Sequence, residues 1–207
     1  HLRTLEQLDY VVKENRKYRL SIGFMEIGAS VRAQMELYSV SHEPLQKLAE
    51  ATGEVASVMI KEGKWGVYMV SIRDETQPST ELFEGERVPL PATAGGKALL
   101  AYLPDVERER VLDDYEPTAY TENTVTDKDA IRDELRSVRD DRLARDRGEL
   151  DLDRHCIAAP ITDSEMNAVG AVTVSGPAER MRMESTEYDI PSIVGSTATS
   201  IRNKVVQ

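Results

Sequence analysis

The chain has 207 residues and a formal charge of −11; it is 40% hydrophobic but only 5% aromatic, so Val, Ile, Leu, Met and Ala must fill any core. Such a length suits one or two domains. No apolar run reaches the ~18 residues of a membrane span, no secretory signal is visible, and the single cysteine, Cys156, excludes an internal disulfide and suits a reducing cytoplasm.

Taken whole, the acidity argues against nucleic-acid binding, but it is uneven. Residues 1–20 hold Arg3, Lys13, Arg16, Lys17 and Arg19 against Glu6, Asp9 and Glu14, a local charge of +2 that leaves −13 on the remainder. A basic start on an acidic body fits a DNA-reading module joined to something else, and so short a segment is also open to chance. Excess acid with little Lys relative to Arg points to a salt-adapted source.

Leu2, Leu5 and Leu8 have helical spacing and read as the tail of a helix. Two short β-prone runs then flank the basic turn at 13–17, which reads as a hairpin. Helix end plus basic hairpin is the second half of a winged helix-turn-helix; the same residues also suit an ordinary hairpin. Residues 21–37 read as one helix and contain the expected domain joint. A second helix starts at Ser41 with Pro44 in its first turn and ends at Gly53. Strands follow at 54–60 and 65–72, and residues 80–90 add an extended piece. Helices are expected over 94–103, 104–115 and 127–143, the last capped by Thr126 and carrying Ile131, Leu135 and Val138 on one face. Strands at 155–162 and 168–175 and a helix over about 187–206 complete the chain. Hairpins imply antiparallel pairing, so the expected class is α+β with helices packed on an antiparallel sheet.

Catalytic machinery is hard to assemble from these residues. His155 and Cys156 are sequence neighbours, and adjacent strand residues point to opposite faces, so they form no nucleophile–base pair. Gly95-Gly96-Lys97 lacks the glycine spacing of a phosphate-binding P-loop and has Ala98 where Ser or Thr is needed. One cysteine and three histidines give no metal-ligand spacing. No enzyme activity, metal or cofactor is expected.

A binding site is better supported. Residues 85–101, GERVPLPATAGGKALLA, run from an extended piece through a small-residue loop into a helix, where bare N–H groups can hold an anion. The amides of Ala94 and Gly95 are the candidate carboxylate cradle. The hydroxyls of Thr93, Thr173 and Ser175 are further donors, the last two sharing a strand face with Cys156 adjacent. Thr173 and Ser175 also suit ordinary strand positions, and Cys156 a small core residue.

Read with CIAAPI at 156–161 and VTVSGP at 172–177, and with YTENT at 120–124 and RDRGE at 145–149 between them, this loop resembles the effector-binding domain of IclR-type transcription factors. The N-terminal residues are similar to the end of that family's recognition helix, its wing and its linker helix. The resemblance implies a truncated winged helix-turn-helix over 1–20, a linker helix over 21–37 and a GAF-like effector domain over 38–207. It further implies a dimer or tetramer on operator DNA, with no membrane association, whose DNA binding a small organic or sugar acid alters. Arg3, Arg16 and Lys17 would meet DNA phosphates. Residues that continue the recognition helix would precede His1, so the chain as given is not expected to hold operator DNA alone.

Family pocket positions fall on Val88, Ala94, Gly95, Asp146, Arg154, Cys156, Thr173 and Ser175, with Leu90 beside Val88 as an apolar wall and Asp146 as acceptor. Arg142-Leu143 departs from the family's usual Gly-Tyr, Asp153 from Gly, and Arg154 from an apolar residue. Arg154 offers a second anchor for an anion. The alternatives are a GAF-like small-molecule-binding module without a DNA role, acting as a carrier or enzyme, and a metal sensor built on Cys156 and His155.

Overall fold

The computed structural model describes residues 1–73, 84–182 and 189–206. Within them the chain divides into two compact units, His1–Ser39 and Val40–Gln207.

In the first unit, helix α1 (Leu2–Gln7) leads into strands β1 (Val11–Glu14) and β2 (Lys17–Leu20), paired antiparallel from Val11 opposite Leu20 to Glu14 opposite Lys17. The two residues between them, Asn15 and Arg16, both have positive φ, 47° and 67°. That is the mirror-turn geometry whose twist matches a two-residue hairpin. Helix α2 (Gly23–Ala33) follows, and α3 (Glu36–Thr52) starts in this unit and ends in the next. The single helix expected over 21–37 is thus two helices broken at residues 34 and 35. The helix expected to start at Ser41 starts at Glu36, with Pro44 in its interior. Gly53 (φ 65°) ends α3, the left-handed position that glycine takes without a Cβ clash.

The second unit is built on one antiparallel sheet of β3 (Val55–Glu62), β4 (Trp65–Ile72), β5 (Arg87–Pro89), β6 (Ala144–Arg147), β7 (Arg154–Thr162) and β8 (Ala168–Pro177), in spatial order β5-β4-β3-β8-β7-β6. Helices α4 (Ala94–Ala101), α5 (Asp105–Asp114), α6 (Lys128–Asp141), α7 (Ala178–Arg182) and α8 (Ile190–Val205) accompany it, so the class is α+β. Residues 80–83 and 187–188 of the expected elements lie outside the described residues. β6 was not expected. Its sequence, Ala-Arg-Asp-Arg, has no β-branched or aromatic residue, and only its pairing with β7 defines it. Helix α6 ends before it because Arg142 turns left-handed (φ 56°). The cap of α6 is Asp127 rather than Thr126: its carboxylate accepts from Asp129 N at 2.9 Å and Ala130 N at 2.8 Å.

Register fixes what each face carries. Met59 lies opposite Ala171, Ser57 opposite Thr173 and Val55 opposite Ser175. Thr173 lies opposite Ala158, Ser175 opposite Cys156, and Cys156 opposite Asp146. Cross-strand partners share a face, so these residues form one surface. Helix α4, buried along its whole length, packs on β3, β6, β7 and β8, and joins Met59, Cys156, Ala158 and Ala171 in one apolar cluster with Ile131, Leu135 and Val138 of α6. Each large aliphatic so buried contributes roughly 1.5–3 kcal/mol relative to exposure. The alternate residues of β7 and β8 face the other way, and α8 packs across those two strands with Ile190, Val194, Ala198 and Ile201 buried.

Candidate functional site

The small-residue loop reaches its helix through one side chain. Thr93 is extended (φ −135°, ψ 146°) and its Oγ1 accepts the Gly96 N–H at 3.2 Å while lying 3.2 Å from Pro89 O. Its hydroxyl therefore serves the loop and the helix start. Gly96 N is used by Thr93, whereas the N–H groups of Ala94 and Gly95 have no protein acceptor among the described residues. These two donors stand at the positive end of α4.

Gly95 brings them down onto the sheet. A Cβ there would lie 2.9 Å from Thr173 Cγ2 and 2.9 Å from Met59 Sδ. Thr173 is fully buried; its Oγ1 lies beside the Cys156 thiol and makes no hydrogen bond of ordinary geometry among the described residues. An orphaned hydroxyl at that depth costs free energy unless something supplies its partner. The row beside it carries Ser175, Cys156 and Asp146, each less than 9% exposed. Val88 and Leu90 are buried in the same cluster as Cys156, and Val88 is the cross-strand partner of Gly66.

Arg154 sits two residues before Cys156 on β7, half-buried, and its Nη2 donates to Ser175 Oγ at 2.7 Å. Burial pushes the Cys156 thiol well above its ordinary value, so it is a neutral, weakly polar wall. Burial also lifts the Asp146 carboxyl to about 6, against the pull of the Glu149 and Gly148 N–H groups and of Lys97. Asp146 Oδ1 accepts from Glu149 N at 2.7 Å.

Two residues of this neighbourhood escaped the sequence reading. Tyr68 faces the site from β4 as the partner of Met59; burial raises its phenol, and its charge environment includes Cys156, Asp146 and Arg154. Alternation along β4 was the available signal. Lys97 is 1% exposed and its ammonium donates to Glu134 Oε1 at 2.7 Å, to Arg145 O at 3.2 Å and to Glu149 Oε1. It ties α4 to α6 and β6 beneath the site. Burial lifts Glu149 to about 7, although Lys97 pulls it down.

Ala94, Gly95, Asp146, Arg154, Cys156, Thr173 and Ser175 are thus brought to one region at the start of α4. Arg3 on α1, Arg16 at the hairpin tip and Lys17 on β2 are exposed in the other unit. A separate groove of about 620 Å³, lined by Trp65, Tyr115 and Tyr120 among others, includes none of these residues. Among the described residues no group of three or more His, Cys, Asp or Glu could hold a metal ion, and no helix is long and apolar enough to cross a membrane.

Residues 29–203 match the family described as bacterial transcriptional regulator IclR C-terminal. The chain belongs to the IclR family. Relatives of this IclR-family chain include the HTH-type transcriptional regulator XynR of Escherichia coli K12, 30% identical over 176 residues, which are 84% of this chain and 70% of XynR. Among solved structures, a protein of Rhodococcus sp. RHA1 superposes with a TM-score of 0.86 at 31% identity, over 98% of this chain and 81% of that one. The IclR of Thermotoga maritima does so with a TM-score of 0.86 at 26% identity, over the whole of this chain and 83% of its own. The second unit is accordingly an IclR-type effector-binding domain in a transcriptional regulator.

Proposed function

We propose that the effector of this regulator is a small organic acid bound at the start of α4, and that its binding alters the grip of the protein on operator DNA. The observation that carries this reading is the pairing of two unpartnered N–H groups, on Ala94 and Gly95, with Thr173, whose methyl packs under Gly95 and whose buried hydroxyl makes no hydrogen bond of ordinary geometry among the described residues. A carboxylate satisfies the first pair and a substituent oxygen the second. Asp146, Cys156 and Ser175 shape the floor, and Val88 and Leu90 the apolar wall. Thr93 acts by setting the loop.

On the DNA side, α1 and the β1–β2 hairpin are read as the end of a winged helix-turn-helix over 1–20, with Arg3, Arg16 and Lys17 contacting phosphates. The reading includes a homodimer or homotetramer in the cytoplasm: Ile22, Met25 and Val31 on and beside α2 are 77%, 71% and 55% exposed, which favours burial against a second copy. The surplus of acid suits a salty interior.

The experiment is a thermal-shift screen of the chain against small carboxylates, sugar acids and aromatic acids, followed by anisotropy of labelled upstream DNA with the complete gene product. A ligand that binds only the folded state raises the melting temperature by mass action. A selective rise, lost in Thr173→Ala and accompanied by a change in DNA affinity, supports the proposal. No rise with any acid in folded protein overturns the sensor reading.

A further inference from the structure

The site has a second cationic end that the anion cradle does not require. Arg154 is half-buried, and no carboxylate lies within ion-pair distance of its guanidinium among the described residues. Its one side-chain hydrogen bond there goes to a neutral acceptor, Ser175 Oγ, at 2.7 Å. A guanidinium offers five donors in a planar fork, and taking it partly out of water with a single neutral partner is unfavourable. Its direction is fixed by the sheet. Arg154 and Cys156 alternate onto the same face of β7, and Ser175 is the cross-strand partner of Cys156. Its charge is also felt at Cys156 and Tyr68, both of which line the site.

The separation of the two ends follows from the strand. Gly95 lies over Thr173, and Ser175 is two residues further along β8. Two residues of strand advance about 7 Å. Because the hydrogen bonds meet the ligand largely from the side, they take up at most about one hydrogen-bond length of that advance, which leaves roughly 4–7 Å between the charged groups of a ligand that bridges the two ends. Carboxyl carbons of an extended dicarboxylate of about four to six carbons fall in that range.

We propose that Arg154 makes this a site for dianions, with one carboxylate on the Ala94 and Gly95 amides and the second on the Arg154 fork. The inference rests on the acid-sensing reading above and adds a rejection rule: a monoacid leaves Arg154 unpaired, so it binds more weakly than a diacid of equal length. Ser175 positions the guanidinium, and the hydroxyl of Thr173 serves the middle of the chain.

The test is calorimetric titration of the chain with succinate, glutarate and adipate, each beside its own monoamide, in wild type and Arg154→Gln. The expected result is that at least one diacid binds ten- to a hundredfold more tightly than its monoamide, the range for charge-assisted hydrogen bonds. In Arg154→Gln that diacid falls to the level of the monoamide, while the monoamide is unchanged. A monoamide within about twofold of its diacid in the wild type overturns the inference, as does a diacid that binds Arg154→Gln undiminished. Binding of monoacids with none of the three diacids overturns it and leaves the sensor reading intact. Failure of diacids and monoacids alike removes both.

Discussion

Gly96 gives the sharpest test of how the site is held. A Cβ at this position would lie 2.0 Å from Leu90 O, 2.5 Å from Leu90 Cα and 2.6 Å from Leu90 C. The obstacle is main chain, so no rotamer change relieves it. Gly96→Ala must push the 90–93 loop away from α4 by more than ~1 Å and break the Thr93 cap. Overpacking costs about 1–3 kcal/mol where side chains can yield, and more where they cannot; loss of the cap adds about 1 kcal/mol. Alanine returns about 1 kcal/mol through helix propensity. The net expectation is a loss of about 3 kcal/mol, or roughly 6–12 °C in melting temperature for a domain of this size. Gly95→Ala is the control, with the same propensity gain but obstacles at the tip of Met59 and a Thr173 methyl. It should unfold within about 3 °C of wild type, because Met yields readily, yet bind acids poorly. Thermal melts followed by circular dichroism read both. A Gly96→Ala protein that melts within about 2 °C of wild type would falsify this account of the loop.

Lys97→Met should destabilise by about 3–5 kcal/mol, because it strands Glu149 in the interior; adding Glu149→Gln should restore part of that loss in urea titrations. Asp127→Ala should cost about 1 kcal/mol as a lost helix cap, and Thr126→Ala less than about 0.5 kcal/mol, so equal costs would contradict the cap assignment. Asp146 has a pH signature. Its folded pKa of about 6 exceeds the ordinary 3.8, so the native state keeps a proton that the unfolded chain has released. That contribution is complete below pH ~4 and lost as pH rises through ~6, a swing of up to about 3 kcal/mol. Asp146→Asn should remove it, so the urea stability of wild type minus variant should fall between pH 4 and 7; a constant difference would refute the shift.

Much of the arrangement of this candidate site was legible in the sequence because its parts are local or periodic. The loop at 90–96 signals itself through Pro, Thr and paired glycines, and the positions of Thr173 and Ser175 two apart put them on one face wherever the strand lies. Cys156 beside Ser175 needed only the pairing of two well-marked strands. Elements defined by partners were not legible. β6 is a strand because β7 pairs with it, and nothing in Ala-Arg-Asp-Arg says so. Lys97 was read against a phosphate-binding motif and rejected, while its role came from Glu134 and Glu149, 37 and 52 residues away. The break at residues 34 and 35 has no Pro or Gly to announce it, and Pro44, which does announce a break, is carried inside a helix.

Cys156 is the only thiol in the chain and stands in the floor of the proposed site, buried and held neutral. Reaction with an alkylating reagent needs both access and a thiolate, so each labelling event records an excursion in which α4 and the sheet part. The protein therefore carries its own clock for site opening, read on the timescale of local unfolding without any introduced probe. An acid held on the Ala94 and Gly95 amides would slow that clock in proportion to its occupancy, so the labelling half-life would report its affinity alongside the shift in melting temperature.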